Sequence, residues 1–454
     1  MAIFDQAEIG HLRPLAWIFC LWKALLLFLA ALSPGPGYDT SALILLDPST
    51  KRRENFLTLS WLSRLGLNLL RWDALYFVKA AEHDKLFEQE WAFSWVYSRL
   101  IGGVTRTEVQ HYVLVGILVS NVCHLLSVLI LYRLLTITSG SRQRRQIAFV
   151  GAILHVLTPA SLFLSAPYAE ALFSLLNLTG MLLYAQSKSR ADEQPPSLHE
   201  DALKLSSGIL FAAATMMRSN GLLSGLILLY DAARYIPRIA SMQLTLHDVR
   251  RIIVTVVAGC FIIPGTVWPQ YLAYRRFCVG ISTSETPPWC KKTIPSVYSW
   301  VQSRYWNVGL FRYWTLPNLP LFLMAAPMLW LLLQSSATVL HSSFQPPLRG
   351  RPVPQTRTTV KPEDLSTVAT RVPELALPQL VLAVAATTSF HVQIVNRISS
   401  GYPTWYLMVA TWLLCDRSTS NQSESRQRSE WAIRGIVVYA IAQGVLFANF
   451  LPPA

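Results

Sequence analysis

Apolar runs of about 20 residues recur along this chain, and they constrain its fold more than any motif does. A hydrocarbon core about 30 Å thick needs about 20 apolar residues for each crossing helix. Such runs occupy 15–32, 112–135, 147–164, 168–186, 205–217, 222–235, 252–271, 316–333, 375–395, 404–415 and 433–451, separated by charged or proline-rich segments. They predict an all-α, polytopic integral membrane protein with about 8–11 transmembrane helices, forming a single domain over 1–454. The runs at 168–186 and 222–235 are short enough to tilt or to re-enter the membrane. Composition agrees: of 454 residues, 52% are hydrophobic and 14% charged, too few charges to cover a water-soluble globule of this size.

Orientation follows from Lys and Arg in short loops, which are retained on the cytosolic side. Arg142, Arg144 and Arg145 form one such loop, and Arg234, Arg238, Arg250 and Arg251 punctuate another. Two connectors, the Pro/Arg-rich 341–373 and the polar 416–430, have the composition of disordered segments and fall on the same side by counting. The opposite side receives a long first loop, 33–111, the turn at Ala166-Pro167-Tyr168, the break at Arg218-Ser219-Asn220-Gly221, a loop at 274–315, and the link from Arg397 to Pro403. The net charge of +14 then reflects cytosolic retention and anionic headgroups; without a nucleic-acid motif, no nucleic-acid partner is expected. Residues 1–10 contain Asp5 and Glu8 but no basic segment, so 15–32 reads as a first anchor instead of a cleaved signal. Asn177 (Asn-x-Thr) is expected inside a span, and Asn421 (Asn-x-Ser) on the cytosolic side.

Of the six cysteines, Cys20, Cys123, Cys260 and Cys415 fall in or beside spans, where they act as small apolar fillers. Cys278 and Cys290 lie in the 274–315 loop, where an oxidising lumen would permit a disulfide.

Four polar and aromatic clusters gather on the non-cytosolic side. In the first loop, Asp73 follows Arg71 and Trp72 and precedes a helical pattern. It reads either as a helix cap or as a carboxylate base beside a sugar. Glu170 stands near the start of an apolar helix, where an acid is costly and faces a cavity or a partner. Arg218 interrupts another apolar stretch, and suits either a phosphate or an ion pair with Glu170. The run from Pro295 to Trp314, with Gln302, Trp306 and Asn307, fits a carbohydrate or lipid-phosphate pocket as well as an interfacial aromatic belt. His391, Gln393 and Arg397 end a span at the same face.

Together these clusters resemble the PIG-V family, the enzymes that add the second mannose to glycosylphosphatidylinositol (GPI) precursors. The resemblance rests on Arg71-Trp72-Asp73-Ala74 with Phe77, Glu88 and Ala92-Phe93, and on Pro159-Ala160-Ser161 with Tyr168, Glu170 and Leu172-Phe173. It continues through Arg218-Ser219-Asn220-Gly221, Val301-Gln302 with Tyr305-Trp306-Asn307-Val308-Gly309, and His391-Val392-Gln393 with Arg397. The chain departs from the family pattern at Asp84-Lys85, Ser94-Trp95 and Pro320-Leu321-Phe322.

The resemblance implies a GT-C type glycosyltransferase of the endoplasmic-reticulum membrane, with its active site in luminal loops. Its donor would be dolichyl-phosphate mannose. Its acceptor would be mannosylated glucosaminyl-phosphatidylinositol, joined through an α-1,6 bond. Asp73 would be the catalytic base. Arg71, Trp72, Glu88, Tyr168, Glu170, Arg218, Asn220, Gln302, Trp306, Asn307, His391, Gln393 and Arg397 would bind substrates, with Arg218 or Arg397 on the leaving phosphate. A β-linked donor and an α-linked product need a single inverting displacement, with one base and no covalent nucleophile. That charge balance calls for no cofactor or metal. The resemblance is compatible with a small accessory membrane subunit. Competing readings are another ER mannosyltransferase using the same donor, or a non-enzymatic lipid or sugar-phosphate transporter or scaffold subunit. A transporter would place its ionisable residues near the membrane midplane, whereas these cluster at one face.

Overall fold

The computed structural model describes residues 6–34, 41–42, 60–104, 108–141, 143–193, 195–280, 286–344, 370–414 and 420–449. Among the described residues the regular structure is helical, apart from an isolated antiparallel bridge between Ser139 and Thr370. Among the described residues, five helices are long and apolar enough to cross a membrane: Ile9–Leu32, Val109–Thr138, Leu246–Phe277, Leu316–Ser343 and Arg426–Ala448. Two shorter apolar helices, Pro373–Thr388 and Thr404–Leu414, accompany them. Leu21, Leu118, Leu323 and Val438 stand exposed on outward faces, as lipid-facing side chains do. The chain is a multi-pass membrane protein.

The Glu170–Glu193 helix explains why part of the bundle is less apolar than its lipid-facing members. It packs between the Val109–Thr138 and Leu198–Met217 helices. Along it Phe173, Leu178, Met181 and Tyr184 are buried, but so are Ser174, Asn177 and Ser187. Protein covers these polar groups and satisfies them: Ser174 Oγ donates to the Ser400 carbonyl at 3.0 Å and Asn177 Nδ2 to the Gly401 carbonyl at 3.0 Å. Small residues allow the close approach between helices. A Cβ at Gly208 would lie 2.2 Å from the Ala258 carbonyl oxygen, so this crossing requires glycine.

Three expected spans are not continuous helices. The 147–164 run is helical only to Val156, then follows a broken path with a short 3-10 turn at Ser161–Leu164. Pro159 lacks the N–H that would continue the ladder, and Pro167 does the same before Glu170. The 222–235 run is a 3-10 turn at Ser219–Ser224 followed by a nine-residue helix, Gly225–Ala233. The 375–395 run leaves the helix at Thr388 and proceeds through single turns at Val392–Ile394 and Val395–Ile398. Irregular backbone in a membrane protein is tolerated where it lines a cavity, and all three breaks do.

The polar segments also contain helix, foreseen after Asp73 in 33–111 but not in the connector 416–430. The 33–111 loop contains helices at Trp61–Leu69, Asp73–His83 and Trp95–Val104. Much of 416–430 is helix, because the last helix starts at Ser420 and carries the i,i+4 pairs Arg426–Glu430 at 3.2 Å and Arg428–Glu424 at 2.5 Å. The 341–373 connector begins as helix to Phe344 and ends in the Pro373–Leu375 turn, while 345–369 lies outside the described residues. Cys415 and the Asn421 side chain also lie outside them.

Candidate active site

Trp72 precedes the Asp73–His83 helix with φ 52°, a left-handed conformation uncommon for a residue other than glycine. Asp73 is consequently the first helical residue and not the cap, which corrects the capping reading. Its carboxylate turns to a distant partner: Oδ2 accepts from Arg397 Nη2 at 2.7 Å. Among the described residues Oδ1 accepts no hydrogen bond.

Arg397 belongs to the Val395–Ile398 turn, and its guanidinium lies 4.4 Å from the Phe163 ring centroid and 5.1 Å from that of Tyr168. Its Nε donates to Glu170 Oε1 at 3.0 Å, and Nη2 contacts the same oxygen. Glu170 is fully buried, and its Oε1 also accepts from Arg218 Nη1 at 2.6 Å. Asp73, Arg397, Glu170 and Arg218, from four separate segments, thus form a chain of alternating charge. Glu170 is a buried anion between two cations, and removing one partner from such a group typically costs about 3–5 kcal/mol.

This chain forms the floor of a cavity of about 1290 Å³. A cleft for one small ligand measures roughly 300–1,000 Å³, so there is room here for two substrates. Trp72, Asp73, Arg218, Gln302, Trp306, His391, Gln393 and Arg397 all line it. His391 Nε2 donates to the Trp306 carbonyl at 3.0 Å, and burial pulls its imidazole below the usual range, against the opposing pull of that carbonyl and of Asp73. Gln393 Oε1 accepts from the Tyr313 hydroxyl at 3.1 Å.

The other expected site residues are not among those that line the cavity. Arg71 is buried, with Nη2 donating to Asn68 Oδ1 at 3.0 Å and to the Ala448 carbonyl at 3.4 Å. Tyr168 donates to the Arg71 carbonyl at 2.9 Å, and Asn220 Nδ2 to the Tyr402 hydroxyl at 3.0 Å. Asn307 adopts φ 51° in the turn after Trp306. Glu88 accepts at Oε1 from Trp289 Nε1 at 2.7 Å and at Oε2 from Trp300 Nε1 at 2.9 Å. It clamps the loop carrying the Cys278–Cys290 disulfide, whose Cα atoms are 5.7 Å apart, against the wall segment Glu88–Ala92.

Sequence reasoning missed Tyr76, Lys79, Phe93 and Ser94, which also line the cavity. Helical spacing could have found the first two, because Tyr76 follows Asp73 and Lys79 follows Tyr76 by three residues, each pair being neighbours on a helix surface. The Tyr76 ring stacks on Phe93 with centroids 4.5 Å apart. Burial, then Asp73 and Glu90, push the Tyr76 hydroxyl above its ordinary value, so it remains a proton donor at neutral pH.

The family model described as mannosyltransferase (PIG-V) matches residues 13–454. A protein of Aspergillus fumigatus named GPI mannosyltransferase 2 is 42% identical over 98% of this chain and 93% of its own length. The protein of the same name from Yarrowia lipolytica is 32% identical over 98% of this chain and 99% of its own. Among solved structures, the Archaeoglobus fulgidus oligosaccharyltransferase superposes with a TM-score of 0.44 at 12% identity, over 97% of this chain and 56% of that one. A helical membrane bundle whose acid, arginines and aromatic rings meet in one large cavity is built for sugar transfer at a membrane, and the chain belongs to the mannosyltransferase (PIG-V) family. It is a glycosyltransferase, working in a membrane on a sugar donor and a glycolipid acceptor.

Proposed function

We propose that this enzyme transfers mannose from dolichyl-phosphate mannose to the first mannose of a GPI precursor, forming an α-1,6 bond at the luminal face of the endoplasmic reticulum. The observation that carries the chemical assignment is the chain Asp73, Arg397, Glu170, Arg218 on the cavity floor. Asp73 Oδ1 accepts the proton of the acceptor 6-hydroxyl while that oxygen attacks the anomeric carbon of the donor. The bond from this carbon to the phosphate oxygen breaks, and dolichyl phosphate leaves with the electron pair. Attack opposite the leaving group turns the β-linked donor into an α-linked product.

The two arginines divide the work. Arg397 spends its hydrogen bonds on Asp73 and Glu170, which holds the base in place. Arg218 lines the cavity with its side chain 20% exposed, and among the described residues its Nη2 makes no hydrogen bond. That group is available to the phosphate as it gains charge, a role that hydrogen-bonded arginine fits.

The test is mannose transfer in microsomes, with variants expressed at matched levels. Asp73→Asn is nearly isosteric and should lower turnover by roughly a hundredfold or more while the protein still reaches the membrane. Near-normal transfer would overturn the assignment of the base.

A further inference from the structure

The cations of the cavity are not equivalent. Arg397 is matched by Asp73 and Glu170, and Arg218 by Glu170. Lys79 lines the same cavity, yet among the described residues no carboxylate lies within ion-pair distance of its ammonium. Its recorded neighbour is the Phe87 ring, 5.1 Å from Nζ. The nearby acids are engaged elsewhere: Glu82 contacts His83 at 3.1 Å, and Glu90 Oε2 accepts from the backbone N–H groups of Leu86 and Phe87 at 2.6 and 3.0 Å. An ammonium facing a substrate cavity without a protein counter-charge is placed to meet an anion of the ligand.

Its position is defined by the helix. Lys79 lies six residues after Asp73, about 9 Å further along the axis at 1.5 Å per residue, and both line the cavity.

We infer that Lys79 binds a phosphodiester of a lipid-linked substrate and so sets substrate specificity. This rests on the function proposed above, in which both substrates carry such a group. The phosphate comes either from the lipid-anchored end of the acceptor or from the donor. Lysine suits the role because a phosphodiester presents a diffuse single charge to a mobile point cation.

The experiment compares wild type, Lys79→Met and Lys79→Arg as full-length protein in detergent micelles. Each is assayed with a synthetic mannosyl-glucosaminyl-inositol acceptor carrying a lipid phosphodiester, and with a matched acceptor in which a neutral ether replaces the phosphate. Lys79→Met should raise KM for a phosphate-bearing substrate about tenfold with little change in kcat, and Lys79→Arg should restore part of the loss. If the acceptor supplies the anion, wild type prefers the phosphate-bearing acceptor and Lys79→Met loses that preference. If the donor does, the acceptor preference persists and the KM for dolichyl-phosphate mannose rises.

An arm independent of transfer measures binding of phosphatidylinositol and dolichyl phosphate by quenching of tryptophan fluorescence. Absence of transfer by wild type would refute the proposed function; the binding arm would still decide the role of Lys79. Unchanged KM values for both substrates, or unchanged binding of both lipids where wild type gives no transfer, in a Lys79→Met protein of wild-type thermal stability would overturn the inference.

Discussion

Arg397 Nη2 meets Asp73 Oδ2 at 2.7 Å, joining residues 324 positions apart in the chain. The same guanidinium holds Glu170, so one planar fork sets the relation between a carboxylate at the cavity surface and another buried beneath it. Arg397→Lys keeps the charge but not the fork, and an ammonium cannot reproduce both sets of hydrogen bonds. We expect kcat to fall about 10- to 100-fold with a smaller effect on KM. A kcat within about twofold of wild type in the microsomal assay would show that the fork does not position Asp73.

Glu88 receives indole N–H groups from both Trp289 and Trp300. In Glu88→Gln only one side-chain oxygen remains to accept, so one indole loses its partner, at a local cost of about 1–3 kcal/mol. The wall at Glu88–Ala92 should loosen, raising the acceptor KM and the rate of proteolytic nicking near 84–94 while kcat is largely preserved. If Glu88 instead touched substrate, Trp300→Phe would leave KM unchanged; we expect it to raise KM as Glu88→Gln does.

Lys85 lies behind the same wall, its Nζ donating to the carbonyls of Glu90 at 2.7 Å and Phe93 at 2.5 Å. Burial lowers its ammonium from 10.5 to about 7, against the opposing pull of Glu90 and Asp84. Between those values the unfolded wall binds more protons than the folded one, so its stability rises as pH increases from about 7 to 10.5 and falls as pH returns to 7. Hydrogen exchange of residues 85–93 across this range should slow with pH relative to the intrinsic rate. Lys85→Met should flatten that dependence, and an unchanged slope in the variant would exclude Lys85 as its origin.

The Cys278–Cys290 bond gives a chemical readout of the same region. Neither thiol should react with a maleimide reagent until reductant is added, whereas Cys20 and Cys260 are free and exposed. After reduction we expect both new thiols to be labelled and the acceptor KM to rise, since the clamped loop then loses a covalent tie. Labelling of Cys278 and Cys290 without reductant would contradict this.

Apolar run length made the long lipid-facing helices legible in the sequence, because a helix exposed to hydrocarbon must be apolar along its whole length. Glu170–Glu193 was harder to bound, since its interior packing permits Ser174 and Asn177 where lipid would not. The break at Arg218-Ser219-Asn220-Gly221 was legible, but those at Pro159 and Thr388 were obscured by apolar residues that line protein instead of lipid.

Within the site, Arg218 and Arg397 were conspicuous because ionisable groups beside apolar runs are costly, whereas Asp73 was singled out by the family resemblance. The pair of Glu170 with Arg218 was one of two readings offered, but the addition of Arg397 was not foreseen, as it depends on chain segments 227 positions apart. Glu88 shows the converse. The resemblance placed it among the substrate-binding residues, but the partners of both its oxygens lie in a loop whose approach no local pattern announces.

The buried polar groups of the Glu170–Glu193 helix have a consequence for biosynthesis. Ser174, Asn177 and Glu170 find their acceptors and counter-ion at Ser400, Gly401 and Arg397, which leave the ribosome more than 220 residues later. Until then this helix waits in the translocation machinery or bilayer with its acid paired at most to Arg218 and with the Ser174 and Asn177 donors lacking their carbonyl acceptors, a state costing several kcal/mol in hydrocarbon. The nascent chain therefore completes its centre last, and a ribosome stalled before residue 397 releases a protein whose early helices are all present but whose middle is still a client for membrane chaperones.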